Sequence, residues 1–138
     1  MATHVTRVRV RWGDTDAAGI VFYPTFFAWF DQAGMELLEA CGITPERIKQ
    51  ERVGAVLVSA SATFRASAGY GDRLEVRTTV ERLSARSVEL AYSVSRVGES
   101  EPLATGKEAR VFVSLEGKRA RAIPWPPEVA EALRQYTG

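Results

Sequence analysis

Residues 24–41 read Pro-Thr-Phe-Phe-Ala-Trp-Phe-Asp-Gln-Ala-Gly-Met-Glu-Leu-Leu-Glu-Ala-Cys, and their pattern predicts the long helix on which the rest of the fold depends. Its apolar residues recur at steps of three and four, the period of a helix with one broad apolar face: Phe26, Phe27, Phe30, Ala33, Leu37, Leu38 and Cys41. Pro24 suits the first turn of a helix, and Gly42 suits the left-handed residue just past its end. Gly34 inside the helix should cost about 1 kcal/mol against alanine, so we expect a neighbouring backbone to approach closely there.

The segments on both sides of this helix alternate with the period of two that is typical of strands. Residues 5–12 place Val8, Val10 and Trp12 on one side. Four further runs follow the helix, at 54–66, 73–80, 88–95 and 109–115, and the last alternates through Ala109, Val111, Val113 and Leu115. We expect a short polar helix or loop over 44–52 and a short surface helix after Pro124. One apolar helix followed by an antiparallel meander predicts an α+β fold, with the sheet packed on the helix.

Length and composition limit the class of protein. The chain has 138 residues, with 46% apolar and 25% charged, which suits a single folded domain over residues 1–138. A net charge of +1, with both signs mixed, gives no basic stripe for nucleic acid. The N-terminus lacks the apolar core of a signal peptide, and no apolar run approaches the ~20 residues that span a bilayer, so we expect a cytoplasmic protein without membrane insertion.

Two further expectations follow from the residue counts. The single cysteine, Cys41, can form neither an intrachain disulfide nor a thiolate metal site alone. One helix cannot cover every face and edge of five strands, so the uncovered sheet predicts a homo-oligomer.

The loop Trp12-Gly-Asp-Thr-Asp-Ala-Ala-Gly-Ile-Val-Phe-Tyr-Pro24 carries the residues with chemical potential. Asp14, Asp16 and Gly19 lie just before the helix N-terminus, whose unpaired N–H groups can hold a carbonyl oxygen as it becomes an oxyanion. A carboxylate beside that point can attack the carbonyl carbon or activate a water. Aspartate and glycine are also common turn formers and caps, and Asp14 in particular is expected to shape the loop.

A calcium loop is a different interpretation of the same spacing. It needs an oxygen ligand at the position of Ala18 and a glutamate at the position of Thr25. Neither residue type stands there, so the sequence excludes an EF-hand.

The string from Gly13 to Tyr23, with the aromatic-rich helix behind it, resembles the signature of the 4-hydroxybenzoyl-CoA thioesterase family of hotdog proteins. The resemblance extends through 53–66, 93–96 and 109–113. It implies a hotdog fold, in which a curled five-stranded antiparallel sheet wraps a long central helix. It also implies that two protomers share one continuous sheet, giving a homodimer or a homotetramer built as a dimer of dimers.

The same resemblance implies an enzyme that hydrolyses acyl-CoA thioesters, with active sites at the subunit interface. Asp16 becomes the catalytic nucleophile or general base. Gly19 and Tyr23 belong to the same catalytic loop, where backbone N–H near Tyr23 polarises the thioester carbonyl. No metal and no cofactor are implied, since coenzyme A is part of the substrate.

The aromatic motifs Phe22-Tyr-Pro24 and Trp29-Phe-Asp31 are similar to those of the aromatic-acyl branch, which implies a benzoyl-type or hydroxybenzoyl-type substrate. In that branch an acid at Asp31 lies near the ring end of the substrate. An aromatic residue expected shortly after Cys41-Gly42 is absent, and Ala55 replaces an expected hydroxyl residue. Two alternatives therefore stay open: a short- or medium-chain aliphatic acyl-CoA thioesterase, and a non-catalytic acyl-CoA-binding module.

The remaining candidate residues concern the coenzyme A part of the substrate. Ser59 and Ser61 share one strand face, where they either line a groove for the pantetheine arm or make cross-strand contacts. Coenzyme A phosphates require cations, and Arg86 is the first candidate. Arg82 and a cluster of Lys118, Arg119 and Arg121 are further candidates. An enoyl-CoA hydratase of this fold would need a histidine, and the single one, His4, has no partner.

Overall fold

A curled antiparallel sheet packs against one long helix. The computed structural model describes residues 2–137, so the ends of the predicted 1–138 domain, Met1 and Gly138, lie outside the described residues. The elements in chain order are β1 (His4–Arg9), α1 (Pro24–Ala40), α2 (Pro45–Glu51), β2 (Val53–Phe64), β3 (Arg73–Leu83), β4 (Ser87–Arg96), β5 (Ala104–Ser114), β6 (Arg121–Ala122) and α3 (Pro127–Arg134).

The long strands are ordered β1-β3-β4-β5-β2, and every neighbouring pair is antiparallel. This confirms the α+β prediction and its five long strands. The two-residue strand β6 adds a sixth by pairing with the end of β5. It is too short for hydrophobic periodicity to reveal.

The helix α1 buries the predicted face against the sheet. Its buried residues are Phe26, Trp29, Phe30, Ala33, Gly34, Leu37 and Leu38. The ring of Phe30 stacks on Tyr92 of β4, with centroids 4.9 Å apart. A side chain at Gly106 of β5 would collide with the Phe30 ring, so the glycine lets the helix lie close to the sheet.

Two details of the core differ from the sequence expectation. Trp12 was expected beside Val10, but β1 ends at Arg9 and a 3-10 turn over Trp12–Asp14 leaves the indole exposed. The close neighbour of Gly34 is the side-chain hydroxyl of Tyr92 and not a backbone.

The strand β5 turns toward α1 a set of side chains that includes two charged residues, and only Val113 of the alternating apolar set is buried. Gly106, Glu108, Arg110 and Phe112 are buried, whereas Ala109 and Val111 are only partly buried. Two charged residues therefore stand at core positions, where a period-two pattern taken from the sequence alone would indicate exposure.

The strand β2 forms one edge of the sheet and is twelve residues long. Its middle carries exposed apolar residues, Val56, Leu57 and Val58. A register shift between Leu57 and Ser59 marks a bulge. Among residues 2–137, no helix is both long and apolar enough to cross a membrane.

Candidate active site

The loop between β1 and α1 folds into a narrow hairpin with Asp16 near its tip. Thr15 pairs with Val21 in an isolated bridge, and the Asp16 N–H donates to the Ile20 carbonyl at 2.9 Å. Gly19 donates its N–H to the Asp16 carbonyl at 2.9 Å. Its φ of +81° lies in the left-handed region, which explains why glycine stands there.

The Asp16 carboxylate is held at one oxygen only. Its Oδ1 accepts a hydrogen bond from the Ala18 N–H at 2.8 Å, an arrangement typical of an Asx turn. The hydrogen bonds within residues 2–137 give Oδ2 no partner, and Asp16 is exposed. The side chain is therefore oriented by the loop while one oxygen stays available to a ligand.

Asp14 has the structural part that the sequence suggested for it. Its Oδ2 accepts from the Arg11 N–H at 2.8 Å, and its carbonyl accepts from the Phe22 N–H at 2.8 Å. The first bond caps the 3-10 turn, and the second closes the hairpin. Asp14 therefore shapes the loop that presents Asp16.

The N-terminus of α1 follows this hairpin directly. Thr25 donates its N–H to the Phe22 carbonyl at 2.8 Å, and Phe26 donates to the Tyr23 carbonyl at 3.1 Å. Pro24 has no N–H, and the Tyr23 N–H takes part in none of the hydrogen bonds found within residues 2–137. The positive end of the helix dipole therefore lies beside the Asp16 loop together with an unused N–H donor.

An aromatic patch, consisting of Phe22, Tyr23 and Phe64, lies next to the same helix end. The Phe64 ring of β2 contacts those of Tyr23 and Phe26, with centroids 6.0 and 5.4 Å away. Phe22 and Tyr23 contact each other at 5.7 Å. All three members of the patch are exposed, so an apolar surface adjoins the carboxylate loop.

Asp31 lies about two turns along α1 and bonds a residue that the sequence did not reveal. Its Oδ1 accepts a hydrogen bond from Nη2 of Arg110 at 2.7 Å, although 62% of the Asp31 side chain is exposed and only 4% of the Arg110 side chain is. Arg110 Nε donates to Glu108 Oε1 at 3.0 Å, and the Glu108 side chain is 2% exposed. A buried ion pair thus supports an exposed carboxylate.

Tyr92 completes this buried hydrogen-bonded network, because its hydroxyl donates a hydrogen bond to Glu108 Oε1 at 2.6 Å. Burial, followed by the negative charge of Glu108, raises the pKa of Tyr92, which keeps the hydroxyl protonated. Burial alone would lower the pKa of Arg110, but its hydrogen bonds to Glu108 and Asp31 raise the pKa above its ordinary value. The guanidinium therefore stays charged.

The structure separates Ser59 and Ser61 from Asp31 within one protomer. Ala60 pairs with Glu108, which points toward α1, whereas Ser59 pairs with Ala109 and Ser61 with Lys107 on the other sheet face. There the two serines line an open crevice of about 470 Å³ together with Arg82 and Lys107.

Arg86 lies elsewhere, in the turn between β3 and β4. Its carbonyl accepts from the Phe112 N–H at 2.8 Å, and it does not line the serine crevice. Its part in phosphate binding stays a prediction, and Arg82 is the arginine that adjoins the serines.

A cysteine nucleophile and a metal centre are two other kinds of site that side chains can form. Burial raises the pKa of the Cys41 thiol to about 11, so Cys41 is a poor nucleophile at neutral pH. Among residues 2–137, no three or more histidine, cysteine, aspartate or glutamate side chains group as a metal site. Metal independence itself stays a prediction.

Comparison with known proteins decides the family. The family model described as the thioesterase-like superfamily matches residues 10–133. The chain belongs to this superfamily. The 4-hydroxybenzoyl-CoA thioesterase of Pseudomonas sp. (strain CBS-3) is 34% identical over 138 residues, covering 95% of this chain and 98% of that protein.

Two further similar proteins are also named as hydrolases of CoA thioesters. The 1,4-dihydroxy-2-naphthoyl-CoA hydrolase of Synechococcus sp. (strain CC9605) is 31% identical, and the alignment covers 83% of this chain and 80% of that protein. The solved structure of a gentisyl-coenzyme A thioesterase superposes with a TM-score of 0.82 at 32% identity, and the superposition covers 94% of this chain and 98% of that one. The resemblance to the 4-hydroxybenzoyl-CoA thioesterase family and the hotdog fold are therefore confirmed, and this superfamily member is a thioester hydrolase.

Proposed function

We propose that the chain hydrolyses an aromatic acyl-CoA thioester, of benzoyl or hydroxybenzoyl type, to the free acid and coenzyme A. One observation carries the proposal: Asp16 is fixed at a single carboxylate oxygen directly before a helix end with an unused N–H donor. A carbonyl that accepts from the Tyr23 N–H would develop negative charge where the helix dipole stabilises it. Asp16 Oδ2 would then lie on the reacting side of the thioester.

Two reaction routes fit this arrangement. As a nucleophile, Asp16 forms a C–O bond to the acyl carbon while the C–S bond breaks, and coenzyme A leaves as a thiolate; water then hydrolyses the mixed anhydride. As a general base, Asp16 takes a proton from water, whose oxygen attacks the acyl carbon, and the departing thiolate receives that proton. The order of bond making differs, and the products are identical.

The aromatic acyl group is supported by two observations. The relatives named above carry 4-hydroxybenzoyl, dihydroxynaphthoyl and gentisyl groups in their names. The exposed aromatic patch of Phe22, Tyr23 and Phe64 offers ring surfaces on which an aryl group could pack. Asp31 lies about two turns further along α1, and we assign it to the end of the substrate's aryl ring that is remote from the thioester.

A second copy of the chain is part of the proposal. The long free edge of β2 and its exposed residues Val56, Leu57 and Val58 favour pairing with β2 of a partner, which would extend the sheet. The proposal includes a homodimer or a dimer of dimers with the active sites near this junction. The cytoplasmic location, the lack of a cofactor and the coenzyme A contacts of Ser59, Ser61 and Arg86 stay predictions.

A panel of acyl-CoA thioesters tests the proposal through free-thiol release. Benzoyl-CoA, 4-hydroxybenzoyl-CoA, phenylacetyl-CoA, acetyl-CoA and hexanoyl-CoA represent the competing classes. We expect kcat/KM for the best aryl thioester to exceed that of both aliphatic thioesters by at least about 10-fold. This ratio is equivalent to roughly 1.4 kcal/mol of transition-state stabilisation. Preference for the aliphatic thioesters would favour the aliphatic alternative, and binding without thiol release would favour the binding module.

A further inference from the structure

The buried network of hydrogen-bonded side chains formed by Tyr92, Glu108 and Arg110 has no part in the reaction described above. Exchange of a buried ion pair for apolar residues of similar volume is often neutral or even stabilising in proteins. Stability alone therefore does not explain why Glu108 and Arg110 stand beneath α1. This network of hydrogen-bonded side chains ends at the exposed carboxylate of Asp31, so a role for the network is to be sought at Asp31.

Arg110 is fixed on several sides. Its Nε donates to Glu108 Oε1 at 3.0 Å, and its Nη1 donates to the Ala55 carbonyl at 3.1 Å and lies 3.6 Å from the Met35 sulfur. Only Nη2 points to the surface carboxylate of Asp31, at 2.7 Å. A planar guanidinium held in this way has one direction in which it can present its last N–H group.

Glu108 is held as firmly from behind. The Tyr92 hydroxyl donates to the same Oε1 at 2.6 Å, and the Tyr92 ring stacks on Phe30 at 4.9 Å. A side chain at Gly34 would collide with this hydroxyl, so α1 leaves space for it. The position of Arg110 is therefore set by the packing of helix on sheet.

The consequence falls on Asp31. Its Oδ1 is occupied by Arg110, whereas its Oδ2 has no partner in the hydrogen bonds of residues 2–137, and the side chain is 62% exposed. A carboxylate oriented in this way can accept one hydrogen bond from a hydroxyl group in a fixed direction. A site whose oriented polar group binds a substrate hydroxyl discriminates strongly against the analogue that lacks this hydroxyl.

We propose that Arg110 is a positioning residue that orients Asp31, and that this pair makes the enzyme selective for aryl-CoA thioesters that carry a ring hydroxyl. The inference rests on the proposed function, because it assigns Asp31 to the ring end of the substrate. Glu108 and Tyr92 act through Arg110 and need not touch the substrate.

The test is the ratio of kcat/KM for 4-hydroxybenzoyl-CoA to that for benzoyl-CoA. We expect a ratio above about 10 for the wild type, as a hydrogen bond to a charged group can provide. Arg110→Lys keeps the charge but loses the planar fork, and should lower the ratio about 10-fold or more while benzoyl-CoA hydrolysis stays within about 3-fold. Asp31→Asn should lower the ratio similarly, and the double variant should lower it no further.

The matched control is Arg47→Lys. Arg47 also bonds two carboxylates, Glu51 at 3.1 Å and Glu128 at 2.9 Å, but it lies on α2 and should leave the ratio unchanged. Should Arg110→Lys fail to fold, Tyr92→Phe removes only the hydroxyl behind Glu108, and a fall in the ratio of about 3-fold or more supports the proposal.

Several results would overturn the inference. Equal losses for both thioesters in Arg110→Lys would indicate a structural role alone, and an unchanged ratio in the folded variant would exclude positioning. A wild-type enzyme that cleaves both thioesters equally refutes the inference and leaves the proposed function intact. A wild type that cleaves no acyl-CoA refutes the proposed function, and the inference with it.

Discussion

The hydroxyl of Tyr92 lies where a side-chain carbon at Gly34 would be, so that a single added carbon would collide with it. The hydroxyl cannot easily move away, because it donates to Glu108 at 2.6 Å and its ring stacks on Phe30. A glycine in the middle of α1 therefore serves the contact between helix and sheet, and not helix formation.

Gly34→Ala should destabilise the protein although alanine is the better helix former. The gain in propensity is about 1 kcal/mol, whereas overpacking of a core commonly costs about 1–3 kcal/mol. Because the Tyr92 hydroxyl is held in place, we expect the cost to be about 2–3 kcal/mol, and therefore a net loss of about 1–2 kcal/mol in the free energy of unfolding, measured by urea denaturation. The control is Gly54→Ala, where an added carbon meets only Leu115 at 3.7 Å, and a loss of similar size there would contradict this explanation.

Cys41 should resist alkylation in the native protein. Burial raises the pKa of its thiol to about 11, so at pH 8 about one thiol in a thousand is ionised, against about one in ten at the ordinary value of 9.0. Iodoacetamide at pH 8 should therefore modify the native protein far more slowly than the urea-unfolded chain, with activity preserved. Rapid native labelling, measured by intact mass, would show that this thiol is accessible.

The free edge of β2 leads to a prediction about assembly. Val58→Lys places a charge on the exposed edge strand, where two like charges would meet across a two-fold junction. We expect the wild type to sediment as a dimer or tetramer, and the variant to shift toward the monomer at micromolar concentration. Val97→Lys alters another exposed valine, in the β4–β5 connection, and should leave the assembly unchanged. A monomeric wild type would refute the shared-sheet proposal.

The sequence predicted the parts of the fold that depend on local pattern. The bounds of α1 were predicted within one residue, because its apolar face repeats along one continuous segment. The loop around Asp16 was recognisable because its turn residues, among them Gly19, are adjacent in the chain. Asp14 was expected to shape this loop, and its bond to Arg11 confirms that.

Two features that the sequence did not reveal, the partner of Asp31 and the buried face of β5, depend on contacts between residues that are distant in sequence. Arg110 bonds Asp31 across 79 positions, and nothing near either residue indicates the other. The charges at Glu108 and Arg110 therefore made the buried face of β5 resemble a solvent face. The antiparallel register of β2 with β5 turns Ser59 and Ser61 away from α1, and their contact with coenzyme A stays a prediction.

The catalytic role of Asp16 is tested most simply by the thioesterase activity of Asp16→Asn, measured with the best aryl-CoA substrate and compared with Asp14→Asn in the same loop. The substitution at Asp16 is nearly isosteric and keeps an oxygen that can accept from Ala18, so it removes the carboxylate chemistry while preserving the turn. We expect a folded protein whose kcat falls by about 10³-fold or more, equivalent to ~4 kcal/mol of transition-state stabilisation, whereas Asp14→Asn should lose less than about 10-fold. Activity of Asp16→Asn within about 10-fold of the wild type would contradict the assignment of Asp16 to the reacting centre.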